Sequence, residues 1–350
     1  MACYSRPPRQ GGIRPGCAGA VITVRGFPLL RPRAGLTYRM NTSRLRPLHL
    51  LATVALLAAS SVHAQCKDEG ASELTRFWEL ERASGCGVFG IRSYRPISMS
   101  VIASDSVNRQ PTSENPVNNV SEPRDFSKTE TRIQLSVRSK LAEGLLTGRG
   151  SRLQDSLWFG YTQRSYWQLF NGGLSRPFRN TDHEPEVMYV LPIAADIGAG
   201  WNLRYGGAGL VHQSNGQSLP YSRSWNRTYL MAGADHPSGW MVQGRLWHRI
   251  EEDTATDDNP RIADFVGRAE LTTGWKTRAG HALSVTWRNN LREMDKGSAR
   301  LDWMVPIDGE LRQFGSLRLH TQLFTGYGDS LLDYNRRRTV LSLGVSLVDW

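Results

Sequence analysis

His212 and Ser214 stand two residues apart in the run Gly209-Leu-Val-His-Gln-Ser-Asn-Gly216. On an extended strand, residues i and i+2 point to the same face, with Cα atoms separated by about two rises of ~3.3 Å. An imidazole placed there can reach the hydroxyl and act as its general base, which serine needs to become a useful nucleophile. The imidazole in turn needs a third group to hold its tautomer and to stabilise the imidazolium. A buried Asp usually does this, but an amide oxygen can also accept the ring N–H. Asn226 opens the next expected strand, and a hairpin with its loop over about 215–225 would return it beside His212. Spacing alone does not establish a hydrolase, because a His-x-Ser on a strand is ordinary composition and Asn215-Gly216 is most simply a turn.

The elements that would carry these residues are strands. In 131–141 the odd positions are Thr, Ile, Leu, Val, Ser and Leu, and the even ones Arg, Gln, Ser, Arg and Lys, a period-2 alternation. Leu283-Ser-Val-Thr-Trp-Arg288 and Leu317-Arg-Leu-His-Thr-Gln-Leu-Phe324 repeat it. Further strands are expected at 89–103, 156–168, 186–194, 201–214, 226–235, 240–250, 263–276, 297–306 and 338–350, about twelve in all. Turn signals separate them, among them His236-Pro-Ser-Gly239, Arg278-Ala-Gly280 and Asp308-Gly309. An antiparallel meander follows, either a soluble β-sandwich or a transmembrane barrel. The polar faces rich in Arg, Gln and Ser favour the barrel. So do the aromatics near strand ends (Trp158, Tyr161, Tyr166, Trp167, Trp201, Trp240, Trp247, Trp287, Trp303, Tyr327), read as interfacial girdles, and the terminal Trp350. No run of 18 apolar residues follows the N-terminal region, so a membrane would be crossed by closed strands.

The formal charge of +11 suggests nucleic acid until it is located. Nine arginines and no acid fall in residues 1–64; without them, 34 basic residues face 32 acidic ones, and a nucleic-acid partner is not expected. Residues 40–64 read as a cleaved signal peptide: Met-Asn-Thr-Ser-Arg-Leu-Arg, an apolar stretch over 48–57, then Val62-His-Ala64 at the cleavage site. Residues 1–39 read as an over-extended gene start or a disordered extension, and 65–88 as a polar periplasmic arm before a barrel domain at 89–350. Cys66 and Cys86 make a disulfide plausible in an exported chain. The acidic stretch Glu251–Pro260 is a solvated loop or, more sharply, a cation-binding one.

The longer string His212-Gln-Ser-Asn-Gly-Gln-Ser…Ser222-Arg-Ser-Trp-Asn226-Arg closely resembles the active-site segment of outer-membrane phospholipase A. Three further blocks resemble that family in the same order: Tyr161-Thr-Gln-Arg-Ser-Tyr-Trp-Gln-Leu-Phe-Asn171 with Ser175-Arg-Pro-Phe-Arg-Asn-Thr-Asp-His-Glu-Pro185, then Thr256-Asp-Asp-Asn-Pro260, then Gly326-Tyr-Gly-Asp-Ser-Leu-Leu-Asp-Tyr-Asn335. The likeness runs over roughly 89–350 and is weak before 130. It implies a twelve-stranded outer-membrane barrel that hydrolyses phospholipid acyl esters with calcium, active as a homodimer. It further implies Ser214 as nucleophile, His212 as base and Asn226 as its orienter. The implied calcium ligands are the Ser222 hydroxyl, the Gln217 carbonyl and the Ser175 carbonyl of the partner subunit. The Gly216 amide, with calcium-bound water, would form the oxyanion hole, and Gln163 would meet its own symmetry mate at the dimer interface.

One position departs from the pattern. Leu219 stands where an acidic residue of a second calcium site is often found, although Asp258, its usual partner there, is present. Two other readings compete with the phospholipase: a non-catalytic porin or structural barrel with a wide lumen, and a soluble esterase built on a sandwich.

Overall fold

The computed structural model describes residues 70–148, 150–307 and 317–347. The expected signal peptide, the extension before it, Cys66, the Asp308-Gly309 turn and Trp350 lie outside these residues. Among them the chain is one antiparallel sheet. Its strands are β1 (Ile91–Ser93), β2 (Ser98–Ser104), β3 (Thr129–Glu143), β4 (Ser156–Trp167), β5 (Asn180–Asp196), β6 (Asn202–Ser214), β7 (Ser224–Asp235), β8 (Trp240–Ile250), β9 (Ala269–Lys276), β10 (Ala282–Asn289), β11 (Gly297–Pro306), β12 (Arg318–Gly326) and β13 (Arg338–Ser346). Each pairs with its neighbour in sequence from β2 onward, and β13 pairs with β2, so the sheet closes on itself. The ring has twelve staves, since β1 runs along the same edge of β3 as β2 does, further toward the C-terminal end of β3.

The expected single strand at 89–103 is thus broken. At the break Pro96 has no N–H to give a ladder; the Tyr94 N–H goes to the Ser136 carbonyl and the Arg95 N–H to the Ser136 hydroxyl. The expected strand at 263–276 starts later, at Ala269. Ile262–Val266 is a short helix (α2), its apolar residues 262, 263 and 266 at helical spacing and buried, and Gly267 at φ 113° ends it.

Closure turns the alternation inside out. The register places Val285, Leu301, Leu323 and Leu341 in one row across four strands, 40–54 % exposed on the outer wall. The adjacent row, Ser284, Asp302, Gln322 and Ser342, is 2–9 % exposed and faces inward, where Asp302 accepts from Gln322 Nε2 at 2.6 Å. Polar atoms inside and leucines outside are what a bilayer requires. Three expected girdle residues point the other way: Trp158 and Tyr166 are fully buried in the interior and Trp247 packs partly buried against the core, whereas Trp240, Trp287 and Trp303 are exposed on the outer wall. Ion pairs and ring contacts pack the interior, so a wide porin-like lumen is not what this sheet encloses, and a single closed sheet is not a sandwich. Replacing Leu323 by Arg should lower unfolding free energy in a bilayer by about 2–4 kcal/mol, read from denaturant titration in vesicles, while an Arg at a membrane–water boundary should cost far less. Equal effects at both depths would contradict the outward orientation of the row.

The segment before the barrel contains a helix, α1 (Glu73–Trp78), capped by Ser72, whose hydroxyl accepts from the Thr75 N–H. Leu74, Phe77 and Trp78 follow helical spacing. Trp78 is 1 % exposed, its ring 6.0 Å from Trp158 and 5.6 Å from Tyr205, with Arg138 stacked 3.6 Å from the Phe77 ring centre. The helix therefore plugs one mouth of the barrel. Cys86 is disulfide-bonded.

Candidate active site

β6 and β7 form the hairpin that carries the chemistry, at the mouth opposite α1. On β6, His212 and Ser214 continue the outward file of Ala208 and Leu210 (57 % exposed), while Tyr205 and Val211 turn inward. On β7 the outward file is Leu230, Thr228 and Asn226. The register pairs His212 directly with Asn226 and Ser214 with Ser224. His212 Nδ1 lies 2.8 Å from Asn226 Oδ1, and since an amide oxygen only accepts, the ring N–H donates. In the neutral ring, Nε2 is then the nitrogen free to accept a proton. The Ser214 hydroxyl, two residues along the same face, has no hydrogen-bond partner among the described residues, and neither has the Gly216 N–H.

The loop between these strands is held from beneath. Asn215, 3 % exposed, accepts the backbone N–H of Arg223 at 3.0 Å and donates to the Tyr221 carbonyl at 2.8 Å. Gly216 follows at φ 61°, a left-handed conformation that glycine adopts without strain. The Gln217 side chain donates to Asn180 Oδ1 at 3.0 Å and to the Arg179 carbonyl at 3.3 Å, while its own carbonyl takes no hydrogen bond among the described residues. Arg223 is fully buried and donates to the Ser222 and Asn118 carbonyls; burial pushes its guanidinium below the usual arginine range.

Two other loops clamp this one. Asp258 accepts from Ser222 Oγ at 2.6 Å, from Ser224 Oγ at 3.3 Å and from Asn118 Nδ2 at 3.0 Å. The residue with which a second cation would be associated is therefore the knot joining the loops of 105–128, 215–223 and 251–268. Leu219 sits 58 % exposed on the middle loop and brings no oxygen to it. Ser175 lies apart, between β4 and β5, its carbonyl accepting from Trp167 Nε1 at 2.8 Å. Gln163 faces outward on β4, partly buried, beside Leu135 of β3 on the lipid side; its amide oxygen accepts from Tyr161 Oη at 3.2 Å.

Two neighbours of the site were not assigned a role from sequence. His183 of β5 is registered against Ser214, its Nδ1 2.7 Å from Tyr161 Oη and its ring at van der Waals distance from the position a side chain on Gly216 would take. Glu252, in the acidic stretch after β8, accepts from Asn226 Nδ2 at 3.1 Å. The alternation of 180–185 would have placed His183 on the outward face; nothing local marks Glu252.

Known proteins of this architecture bear on the site. A family model described as Phospholipase A1 matches residues 74–347. A phospholipase A1 of Escherichia coli K12 is 40 % identical over 224 residues, covering 63 % of this chain and 71 % of its own. A Neisseria meningitidis relative named for the same activity is 37 % identical over 280 residues, covering 79 % and 70 %. Among solved structures, the Salmonella typhi outer membrane phospholipase dimer with bound calcium superposes with a TM-score of 0.63 at 32 % identity, covering 75 % of this chain and 93 % of that one. The E. coli outer membrane phospholipase A gives 0.61 at 32 %, covering 73 % and 94 %. With a family match over most of its length and a twelve-stranded barrel whose outer wall is apolar, this chain belongs to the phospholipase A1 family and is an outer-membrane enzyme.

Proposed function

We propose that the protein hydrolyses acyl esters of membrane phospholipids by a Ser214–His212–Asn226 site on the outer wall of its barrel, assisted by calcium and shared between two copies of the chain. The observation that carries this reading is the 2.8 Å contact between His212 Nδ1 and Asn226 Oδ1. It sets the one tautomer in which Nε2 can take a proton from Ser214. Ser214 Oγ then attacks the ester carbonyl as its proton passes to His212 Nε2. The imidazolium returns that proton to the departing lysophospholipid oxygen, and water hydrolyses the acyl-serine by the same route in reverse order. The Gly216 N–H, otherwise unengaged among the described residues, faces the developing oxyanion.

The place suits the substrate. Below His212 the outer wall is a shallow apolar groove lined by Leu157, Val187, Ala208, Leu210, Leu230 and Leu246. An acyl chain lying there brings its ester up to the serine at the rim of the hydrocarbon.

Ser222 Oγ and the Gln217 carbonyl are neutral oxygens on one loop, the chemistry calcium prefers. Two ligands fall well short of the roughly 6–8 that calcium takes. The set is completed by the carbonyl of Ser175 of the partner subunit and by water, which makes the site dependent on the dimer. When bound, calcium supplies positive charge close to the oxyanion. Gln163, an amide among lipid-facing side chains, bonds Tyr161 and Ser165 in its own chain and uses its remaining N–H and lone pair to meet its own mate across a two-fold axis. Asp258 serves here as the knot between loops; with a leucine at 219, a second cation there lacks its usual acid. Residues 40–64 deliver the chain to export, and 89–350 form the catalytic barrel.

Fatty-acid release from phospholipid micelles tests the metal. Chelation should remove nearly all activity and calcium should restore it, with Ser222→Ala raising the calcium needed by tenfold or more. Full activity in excess chelator would remove calcium from the mechanism.

A further inference from the structure

The acidic stretch between β8 and α2 contributes a residue to the site that the serine–histidine–amide arrangement does not account for. Asn226 uses both ends of its amide. Its oxygen faces His212, and its Nδ2 donates to Glu252 Oε1 at 3.1 Å. Glu252 is half-buried and forms no ion pair among the described residues. Its cationic neighbour Arg249 is committed to Asp257 through two contacts of 2.7 Å.

We infer that Glu252 is a positioning residue for ester hydrolysis: its carboxylate holds the Asn226 amide in the one orientation that leaves the amide oxygen on His212. The inference rests on the reading of Ser214, His212 and Asn226 given above. The reason lies in the symmetry of an amide. Its oxygen and nitrogen ends are nearly the same size, so packing alone does not choose between them. If the Asn226 amide turned over, an N–H would face His212 Nδ1. That nitrogen would have to accept, its proton would move to Nε2, and the imidazole could no longer take a proton from Ser214. An ionised carboxylate only accepts, so it demands the N–H end and excludes the turned-over state. The carboxylate also sets a negative charge behind the amide, in line with the imidazolium that forms during attack. An aspartate does this directly in many serine hydrolases; here the charge stands one hydrogen bond further back. Burial, and after it the nearby Asp257, push the Glu252 carboxyl above its usual range, while the hydrogen bond from Asn226 pulls it back.

Kinetics on micellar phospholipid in saturating calcium, using the whole protein, tests this. Glu252→Ala and Glu252→Gln should each lower kcat about ten- to a hundredfold, as expected for losing a hydrogen bond to a charged group. KM should stay within about twofold, because Glu252 touches neither the groove nor the proposed calcium ligands. Glutamine keeps the size of the side chain but offers an N–H as readily as an oxygen, so it no longer excludes the wrong amide orientation. In an Asn226→Ala background, Glu252→Ala should add less than about twofold. Wild-type kcat in Glu252→Gln overturns the inference, as does a Glu252→Ala effect that persists in full without Asn226. Unchanged kcat in Asn226→Ala alone overturns instead the reading of the site itself. Heat-modifiable gel mobility confirms that each variant is folded.

Discussion

Replacing Ser214 by alanine should lower kcat for ester hydrolysis by on the order of 10⁵-fold while leaving KM and the folded barrel unchanged. The size follows from what the hydroxyl does. Its neighbours can still bind the ester and polarise its carbonyl, but no covalent step remains, and the residual rate is that of water attacking in a prepared environment. His212→Ala should cost about as much, because a serine without its base is nearly inert, and the double variant should be no worse than either single one. Asn226→Ala should cost less, on the order of 10- to 10³-fold, since the imidazole keeps its place on β6 and loses only the bond that selects its tautomer. The measurement is initial-rate release of fatty acid from micelles in excess calcium. A Ser214→Ala rate within tenfold of wild type would mean that the outward pair on β6 is not the nucleophilic centre.

How much of this site could be read from the chain depends on the distance over which each residue is specified. His212 and Ser214 share a face because period 2 is local, and Asn226 reaches His212 because one hairpin is nearly local too; their roles came from resemblance rather than from spacing. Which face looks outward is not local. Alternation along 156–168 shows that Trp158 and Trp167 lie on opposite sides, but only closure of the ring decides that Trp158 is interior. The helix at Glu73–Trp78 was hidden by polar neighbours, although Leu74, Phe77 and Trp78 carry its apolar spacing. Glu252 was illegible for a different reason: it meets Asn226 from a loop beyond another strand, and no pattern within that loop distinguishes it from its acidic neighbours. The expected break-free first strand failed at Pro96 because a proline removes a donor whatever the surrounding hydrophobicity.

Arg179→Met should destabilise the barrel by about 3–5 kcal/mol at neutral pH, the usual cost of leaving buried charges without their partner. Arg179, Glu130 and Asp333 have fully buried side chains. The guanidinium donates to both oxygens of Glu130, at 2.6 and 3.0 Å, and to Asp333 at 3.2 Å; Arg338 holds Asp333 from the other side at 2.7 Å. Arg179 therefore ties β3 to the segment between β12 and β13, directly under the loop that carries Gln217. Burial alone would push the Asp333 carboxyl upward, but Arg179 and Arg338 outweigh it and hold the group at about 2. A carboxyl depressed in the folded state contributes stability that is present above its unfolded value of about 4 and is lost as pH falls toward 2. Removing Arg179 should therefore make the acid loss of stability shallower, and the gap between wild type and variant should narrow as Asp333 is protonated. Denaturant midpoints in micelles, followed by tryptophan fluorescence from pH 7 to about pH 2, measure both effects. Adding Glu130→Gln to Arg179→Met should recover part of the loss, because the orphaned charge is then gone while its hydrogen bond from Gln168 can still form. A loss below about 1 kcal/mol, or a second substitution that deepens it, would mean that this cluster is not what holds the mouth of the barrel beneath the site.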